Sequence, residues 1–541
     1  VLLSETKRIC VLTIILISVL GASMLASAIT QVGAESNFKR ITIEEDGSVT
    51  PSDVPIVRSG NVYSLNADIF GQIIIKKDGV TLDGANHALI GYGSEKILEA
   101  SCGVLLFRER EDIVLKNMEV KGFRGNVRFG EGFNNSMYNC DLIDCSLDFS
   151  FSLHGVNNTI SGNRIIGSKG TGIFVTSSGN VISNNYIANH SEGITFSGSQ
   201  NNIIKNNTLE NNGAPFVFLR SSFEFEDYLQ EMDEFNVIDG KPACYWVNKQ
   251  GGTVPPESGY VFLVNCTRIL VQGLSILNQT QKSYTSDSKG LTLVDTADSI
   301  ITDCNFASGA GISISGSATK NITISHNVFG TKIAVLRSNV IDNLFCRGAE
   351  LIVDNCTVSR NTIDSSKHGL TIYGGKENKI FCNDIMNCNV GVFIHHSVNN
   401  TIFSNNFVNN NQSIFEDPHE LVGTMFGPLP AHFESVNTTF DGNYWSGYLG
   451  EDSNFDGIGD TPYIIFENYT DVNPLMHPVV IDEKTGNIKE ATGISSQDIA
   501  WESETAHFVG ISVIVIAVGT AVLLYLRNSK KRKNTDTTNE A

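Results

Sequence analysis

The sequence predicts an all-β fold, a right-handed parallel β-helix, followed by a C-terminal transmembrane helix. Three observations carry this. A short motif returns every 22 or 23 residues, brief runs of alternating apolar residues are bounded by Gly and Asn, and nineteen uncharged residues lie close to the C-terminus.

The motif is apolar-x-x-Asn-x-apolar. It reads Ile160…Asn163…Ile165, Ile182…Asn185…Ile187 and Ile204…Asn207…Leu209, and Leu115…Met118…Val120 and Met137…Cys140…Leu142 precede it in phase. It returns as Ile301…Cys304…Phe306, Ile324…Asn327…Phe329, Val358…Asn361…Ile363, Ile380…Asn383…Ile385 and Ile402…Asn405…Phe407. A second strand falls within the period, as in Gly172-Ile173-Phe174-Val175 and Gly391-Val392-Phe393-Ile394. Runs this short read as strands, not helices. One such period is one solenoid turn, stacked on the next at about 4.8 Å. No turn buries its apolar face alone, so stability comes from stacking. The recurring Asn is expected to take the left-handed turn and to hydrogen-bond its counterpart one coil away. Met118, Cys140, Leu274 and Cys304 replace it, as an inward position allows. The L-x-x-L-x-L-x-x-N frame of leucine-rich repeats is missing.

The boundaries follow in chain order. Residues 1–28 read as a signal peptide, with Lys7 and Arg8, an uncharged run and an Ala26-Ser27-Ala28 exit. The β-helix ectodomain is expected over 29–480, with its N-terminal cap and first coil at 41–90. From 214 to 260 no repeat is legible, and this aromatic, acidic stretch reads as an excursion from the barrel. A C-terminal cap is expected over 441–463 and a polar stalk over 481–507. Residues 508–526 are long enough to cross a bilayer, at about 28 Å. Arg527, Lys530, Lys531, Arg532 and Lys533 follow, which places the tail 527–541 in the cytoplasm and the ectodomain outside the cell. The expected location is the cell membrane, crossed once. Residues 1–28 carry +1 and 527–541 carry +3, so the stretch between holds −24 of the net −20. Such a surface repels nucleic acid.

Asp452-Ser453-Asn454-Phe455-Asp456-Gly457-Ile458-Gly459-Asp460 is the sharpest local motif. Asp452, Asn454, Asp456 and Asp460 supply side-chain oxygens, Ile458 a backbone carbonyl, and Gly457 the turn, as in the first nine positions of a calcium loop. Tyr463 stands where a bidentate Glu would close the set. A structural calcium is expected; a loop of Asx-turns that binds nothing is the alternative. Tyr245, Trp246, Tyr444 and Trp445 are candidates for stacking on a sugar, with packing in a cap as the alternative. Asp141, Asp144 and Asp148 are outward carboxylates that form no diagnostic pair. His368, His395, His396, Cys346 and Cys388 are the only residues that hint at copper, and no Met-rich or His-rich tract supports them. Ten cysteines follow the signal with no C-x-x-C pair; most read as buried thiols, and Cys140–Cys145 and Cys382–Cys388 are the pairs a disulfide would use. Asn-x-Ser/Thr triplets such as those at Asn265, Asn278 and Asn468 overlap the turn signature.

The Asn-rich coils, together with Asn236-Val237-Ile238-Asp239-Gly240-Lys241-Pro242, Tyr245-Trp246-Val247, Gly259–Thr267, Gly442-Asn443-Tyr444-Trp445-Ser446 and Asp460-Thr461-Pro462-Tyr463, resemble the NosD-type β-helix group, also described as a carbohydrate-binding and sugar-hydrolysis repeat domain. The resemblance covers roughly residues 40–480 and implies the fold. NosD proper is associated with copper delivery in the periplasm; the C-terminal anchor departs from it, and no copper ligands carry over. The expectation is a surface protein that binds a glycan or an envelope partner without catalysis. A polysaccharide lyase or glycoside hydrolase and a copper-handling protein are the alternatives.

Overall fold

The computed structural model describes residues 38–93, 102–145, 149–167, 170–219, 225–276, 290–306, 312–416, 437–466, 469–481 and 488–489. The expected signal peptide, transmembrane helix and tail, and all of the stalk except residues 481, 488 and 489, lie outside these. Among the described residues the chain is all strand apart from one 3-10 turn, Phe225–Tyr228, and no helix is long and apolar enough to cross a membrane.

The coils stack in parallel register. In one coil the strands are Thr159–Ser161, Arg164–Ile166 and Thr171–Val175; in the next they are Val181–Ser183, Tyr186–Ala188 and Glu192–Ser197. Ile182 pairs with Ile160 and Ile204, Ile187 with Ile165 and Leu209, and Ile194 with Ile173 and Phe216. These nine side chains are fully buried. At about 1.5–3 kcal/mol for each large apolar side chain, such columns are the main source of stability.

The Asn ladder divides between neighbours the two roles expected of one residue. The ladder Asn itself points inward and hydrogen-bonds along the stack: Asn185 donates its backbone N–H and its Nδ2 to Asn207 Oδ1, each at 3.0 Å, and Nδ2 also reaches Ile160 O at 2.9 Å. The residue before it takes the left-handed turn: Gly162, Asn184 and Asn206 have φ of 68°, 56° and 49°. Asn-Asn pairs thus place one amide in the core and one in solvent.

The ladder also runs through coils the 22-residue period misses. Asn327 bonds to Asn343 across 16 residues, and Asn343 to Asn361 across 18. Both bonds are of ordinary length, so a coil loses corner residues without losing its ladder. Asn443 is the last rung, 38 residues after Asn405.

Segment 214–260 is not an excursion from the barrel. Ala214–Leu219 pairs with the preceding coil, and Glu231–Met232 and Val237–Ile238 complete that turn. The chain then reverses. Val237 faces Pro242 and Ile238 faces Lys241 in an antiparallel hairpin whose two-residue loop is Asp239-Gly240. Both loop residues have positive φ, 49° and 80°, as a type I′ turn requires. A second parallel stack starts from Lys241–Val247, which pairs in parallel with Tyr260–Val264.

Each stack has its own apolar core, and the strand Tyr260–Val264 serves both. Tyr260, Phe262 and Val264 belong to the first core; Val261 and Leu263 belong to the second. Phe262 lies 4.8 Å from Phe218 and Tyr260 lies 5.5 Å from Phe216, both rings of the last coil of the first stack. The start of the second stack therefore closes the open end of the first, which covers an edge a solenoid must protect.

Candidate functional site

The junction opens into a cleft of about 620 Å³. Its lining combines Trp246 and Tyr245, the carboxylates Asp233, Glu234 and Glu257, Lys249, and the exposed ring of Phe235. The hairpin brings the turn before Val237–Ile238 next to Lys241–Val247, and the loop through Pro255 and Ser258 supplies the other side. Two stacks that meet end to end leave a concavity that a uniform solenoid face lacks.

Tyr245 and Trp246 are neighbours on a strand, so they point to opposite faces. Tyr245 packs against the first core. Its hydroxyl donates to the Tyr228 carbonyl and accepts the Gln230 N–H at 3.1 Å, and burial holds its pKa above the ordinary tyrosine value. Tyr245 is therefore a bolt between the stacks. Trp246 is half-buried against the second core, and the Lys249 ammonium sits 3.3 Å from its ring centroid. A cation over an indole face is worth about 0.5–2 kcal/mol, which fixes both groups at the cleft wall. Cys244 also lines the cleft, and burial pushes its thiol up to about 12.

Tyr444 and Trp445 lie at the other end of the second stack. Trp445 is a core residue, not a sugar platform: it is 1% exposed, its ring stacks on Phe407 at 4.3 Å and 5°, and its Nε1 donates to Asp471. Phe440-Asp441-Gly442-Asn443-Tyr444-Trp445 is one more copy of the repeat motif, which makes its second aromatic an inward residue. Tyr444 is half-buried beside it. The structure thus separates the two aromatic pairs, and Trp246 lines the cleft with the Lys249 ammonium over its ring and the second core against it. Sequence reading missed Lys249, Glu257 and Phe235; the run Asp233-Glu234-Phe235 was visible as acidic and aromatic but had no partner in sequence.

The 452–460 loop is held by its own backbone. Asp452 accepts the N–H groups of Asp456 at 3.2 Å and Gly457 at 2.9 Å, Asp456 accepts that of Ile458 at 2.8 Å, and Asp460 accepts that of Ser453 at 2.8 Å. Asn454 donates its side-chain amide to Asp456. Among the described residues no group of three or more His, Cys, Asp or Glu side chains is placed to hold a metal ion; the calcium set would also draw on the Asn454 side chain and the Ile458 carbonyl. His395 and His396 are buried with ring centroids 4.1 Å apart, and His368 stacks on Phe393 at 4.7 Å. None of the ten cysteines 102–388 is in a disulfide.

The fold and cleft define a class: a repeat scaffold of stacked parallel coils with a mixed polar and aromatic recess where the repeat breaks. A family model described as "Periplasmic copper-binding protein (NosD)" matches residues 59–228 and 260–450, and the chain belongs to that family. No curated protein matches significantly. Among solved structures, the tailspike of Escherichia coli bacteriophage HK620 in complex with a pentasaccharide is similar at 11% identity and a TM-score of 0.27, over 71% of this chain and 74% of that one. PfbA, a surface adhesin of Streptococcus pneumoniae, is similar at 12% identity and 0.19, over 68% and 83%. The catalytic unit of a GH87 α-1,3-glucanase from Streptomyces thermodiastaticus is similar at 16% identity and 0.18, over 71% and 61%.

Proposed function

We propose that the protein is a membrane-anchored β-helix outside the cytoplasm that binds a glycan, free or on an envelope partner, in the junction cleft without transforming it. The observation that carries this is the combination in one recess of an indole face, an ammonium and three carboxylates. Sugar C–H faces pack on indole, carboxylates accept sugar hydroxyls, and an ammonium donates to ring and hydroxyl oxygens.

A glycan array probed with the described ectodomain tests this. The expected result is a hit that Trp246→Ala weakens at least tenfold and Glu257→Gln weakens less, with the glycan recovered intact after incubation. No hit, a hit that both variants retain, or a cleaved glycan overturns the reading. The second reading is copper handling, which the family description supports. It predicts stoichiometric copper after dialysis, and copper at background removes it.

A further inference from the structure

Each coil has a corner that leads into the sheet containing Ser136–Tyr138 and Thr159–Ser161 in the first stack and Thr323–Ser325 and Thr401–Phe403 in the second. Strand register aligns one residue per coil after this corner. In the first stack these are Val62, Thr81, Val114, Ser136, Thr159, Val181 and Ile203. In the second they are Thr253, Leu270, Ile300, Thr323, Asn339, Thr357, Lys379, Thr401 and Thr439. The residue two positions earlier has positive φ in every case.

Seven of those corner residues are Asn. Six have a hydroxyl residue at the aligned position: Asn134 with Ser136, Asn157 with Thr159, Asn321 with Thr323, Asn355 with Thr357, Asn399 with Thr401, and Asn437 with Thr439. Asn201, with Ile203, is the exception. The other nine corners carry Gly, Asp, Arg or Glu, and only Gly79 and Gly251 are followed by Thr.

The fold does not ask for this pairing. A left-handed corner is satisfied by Gly, Asp or Asn, and the aligned strand position accepts Val, Ile, Lys and Asn elsewhere in the same sheets. The next corner of the same coils is the control. There Asn117, Asn139, Asn184 and Asn206 also have positive φ, yet Glu119, Asp141, Tyr186 and Thr208 follow them. Asparagine with a hydroxyl two residues on is thus concentrated at this corner; among the other left-handed asparagines it recurs only at Asn189, Asn206 and Asn265 of the described residues.

Exposure points the same way. Asn134, Asn157, Asn321, Asn399 and Asn437 are exposed and Asn355 is half-buried, whereas the adjacent Asn135, Asn158 and Asn400 are buried in the core ladder. In the second stack Arg337 and Glu377 occupy the coils between Asn321, Asn355 and Asn399. Asn321, Asn355 and Asn399 therefore sit two coils apart, about 9.6 Å at the strand spacing, whereas Asn437 is on the coil next to Asn399 and donates its Nδ2 to Asn399 Oδ1 at 3.2 Å.

We propose that this corner is a column of N-linked glycan attachment sites, with Asn134, Asn157, Asn321, Asn355, Asn399 and Asn437 as acceptors. The donor is a polyisoprenyl-phosphate-linked oligosaccharide. The Asn Nδ2 forms a bond to the anomeric carbon, the carbon–oxygen bond to the lipid phosphate breaks, the phosphate leaves with the electron pair, and the amide gives up one proton. The proposal rests on the export that the functional reading also assumes, not on the cleft.

The test is glycopeptide mass spectrometry on the full chain purified from its own host, with protease accessibility on intact cells as a separate measure of export. The expected result is a hexose- or hexosamine-containing adduct on peptides that contain Asn399 and at least two of the other acceptors. Thr401→Val, which keeps the Asn turn, should remove the Asn399 adduct and leave the rest. Unmodified peptides at all six positions in an externally accessible chain overturn the proposal and leave the cleft reading intact. An adduct that survives Thr401→Val also overturns it, and a chain inaccessible to protease overturns both.

Discussion

Asp471 ends the internal ladder, and Asp471→Asn is the perturbation that measures what this termination is worth. Its carboxylate is fully buried. Oδ2 accepts the Asn443 backbone N–H at 2.9 Å, the Asn443 Nδ2 at 3.0 Å and the Trp445 Nε1 at 3.0 Å, while Oδ1 accepts the N–H groups of Gly442 at 3.0 Å and Asn473 at 3.1 Å. Each Asn along the stack takes donors from the coil before and donates its own amide onward; at the last coil no onward acceptor is needed, and an acceptor-only group suits the position. Asparagine offers one oxygen. Whichever way it flips, two or three of the five N–H groups face an NH2 group. At about 1–3 kcal/mol for each unsatisfied buried donor, partly relieved by relaxation, the cost is about 2–4 kcal/mol. Coils interact with nearest neighbours, so the loss stays local and a single global unfolding curve is the wrong measure. Hydrogen exchange resolves it. At about 1.4 kcal/mol per tenfold, protection of amides at 439–445 should fall by about 30- to 1000-fold, with the first stack unchanged. Protection within threefold of wild type at 439–445, or an equal loss around Ile182, refutes the reasoning.

Three further outcomes follow from the same geometry. His190 is buried, Nδ1 has no partner, and burial lowers its pKa to about 4, so the folded chain holds it neutral while the unfolded chain takes up a proton near pH 6.5. Stability is full above pH 6.5 and falls as pH drops toward 4, by about 3 kcal/mol over the window. Asn212 occupies the same place one coil on, so His190→Asn should keep the fold and flatten that acid limb in thermal melts; parallel limbs count against burial as the cause. Eight of the ten described cysteines are buried and Cys346 and Cys382 are half-exposed, so a maleimide should label those two in native protein and the other eight only after denaturation, as read by peptide mass mapping. A calcium site filled at 100 times its Kd would add about 2.7 kcal/mol. If Asp452, Asn454, Asp456 and Asp460 hold calcium, melts in millimolar calcium should lie several degrees above those in EDTA, and melts that agree within about 1 °C count against the site.

The sequence made the coils legible because their inward positions repeat: Ile160, Ile182 and Ile204 are one column in structure as in pattern. It hid the two short coils, because a fixed period fails when corners shrink, although Val340…Asn343…Phe345 holds the motif intact. It hid the junction for a different reason. Tyr260–Val264 is buried on both faces, so it reads as an unbroken apolar run and loses the alternation that marks a strand with one face outward. Trp445 stays open in sequence between sugar stacking and cap packing because its coil, 38 residues after that of Asn405, is out of phase with the period, and Asp471 carries no signal, since its role is set by a ladder that ends 28 residues earlier in the chain.

That same two-faced strand is the reason for placing the proposed binding site at the junction. In a uniform stack each outward position is repeated every coil, so its faces are ridged and nearly flat, and a ligand meets the same environment at several registers. Specific binding needs a place where the translation is broken and the lining is unique. The Asp239-Gly240 reversal provides it: the first core is sealed by residues of the second stack, Tyr245 is bolted across the seam through Tyr228 and Gln230, and Trp246 is held by its strand on the opposite face, toward the second core. The aromatic that faces the recess is thus positioned by the contact that closes the core behind it. Loosening the seam, by Tyr245→Phe for instance, should weaken ligand binding without touching any ligand-facing group.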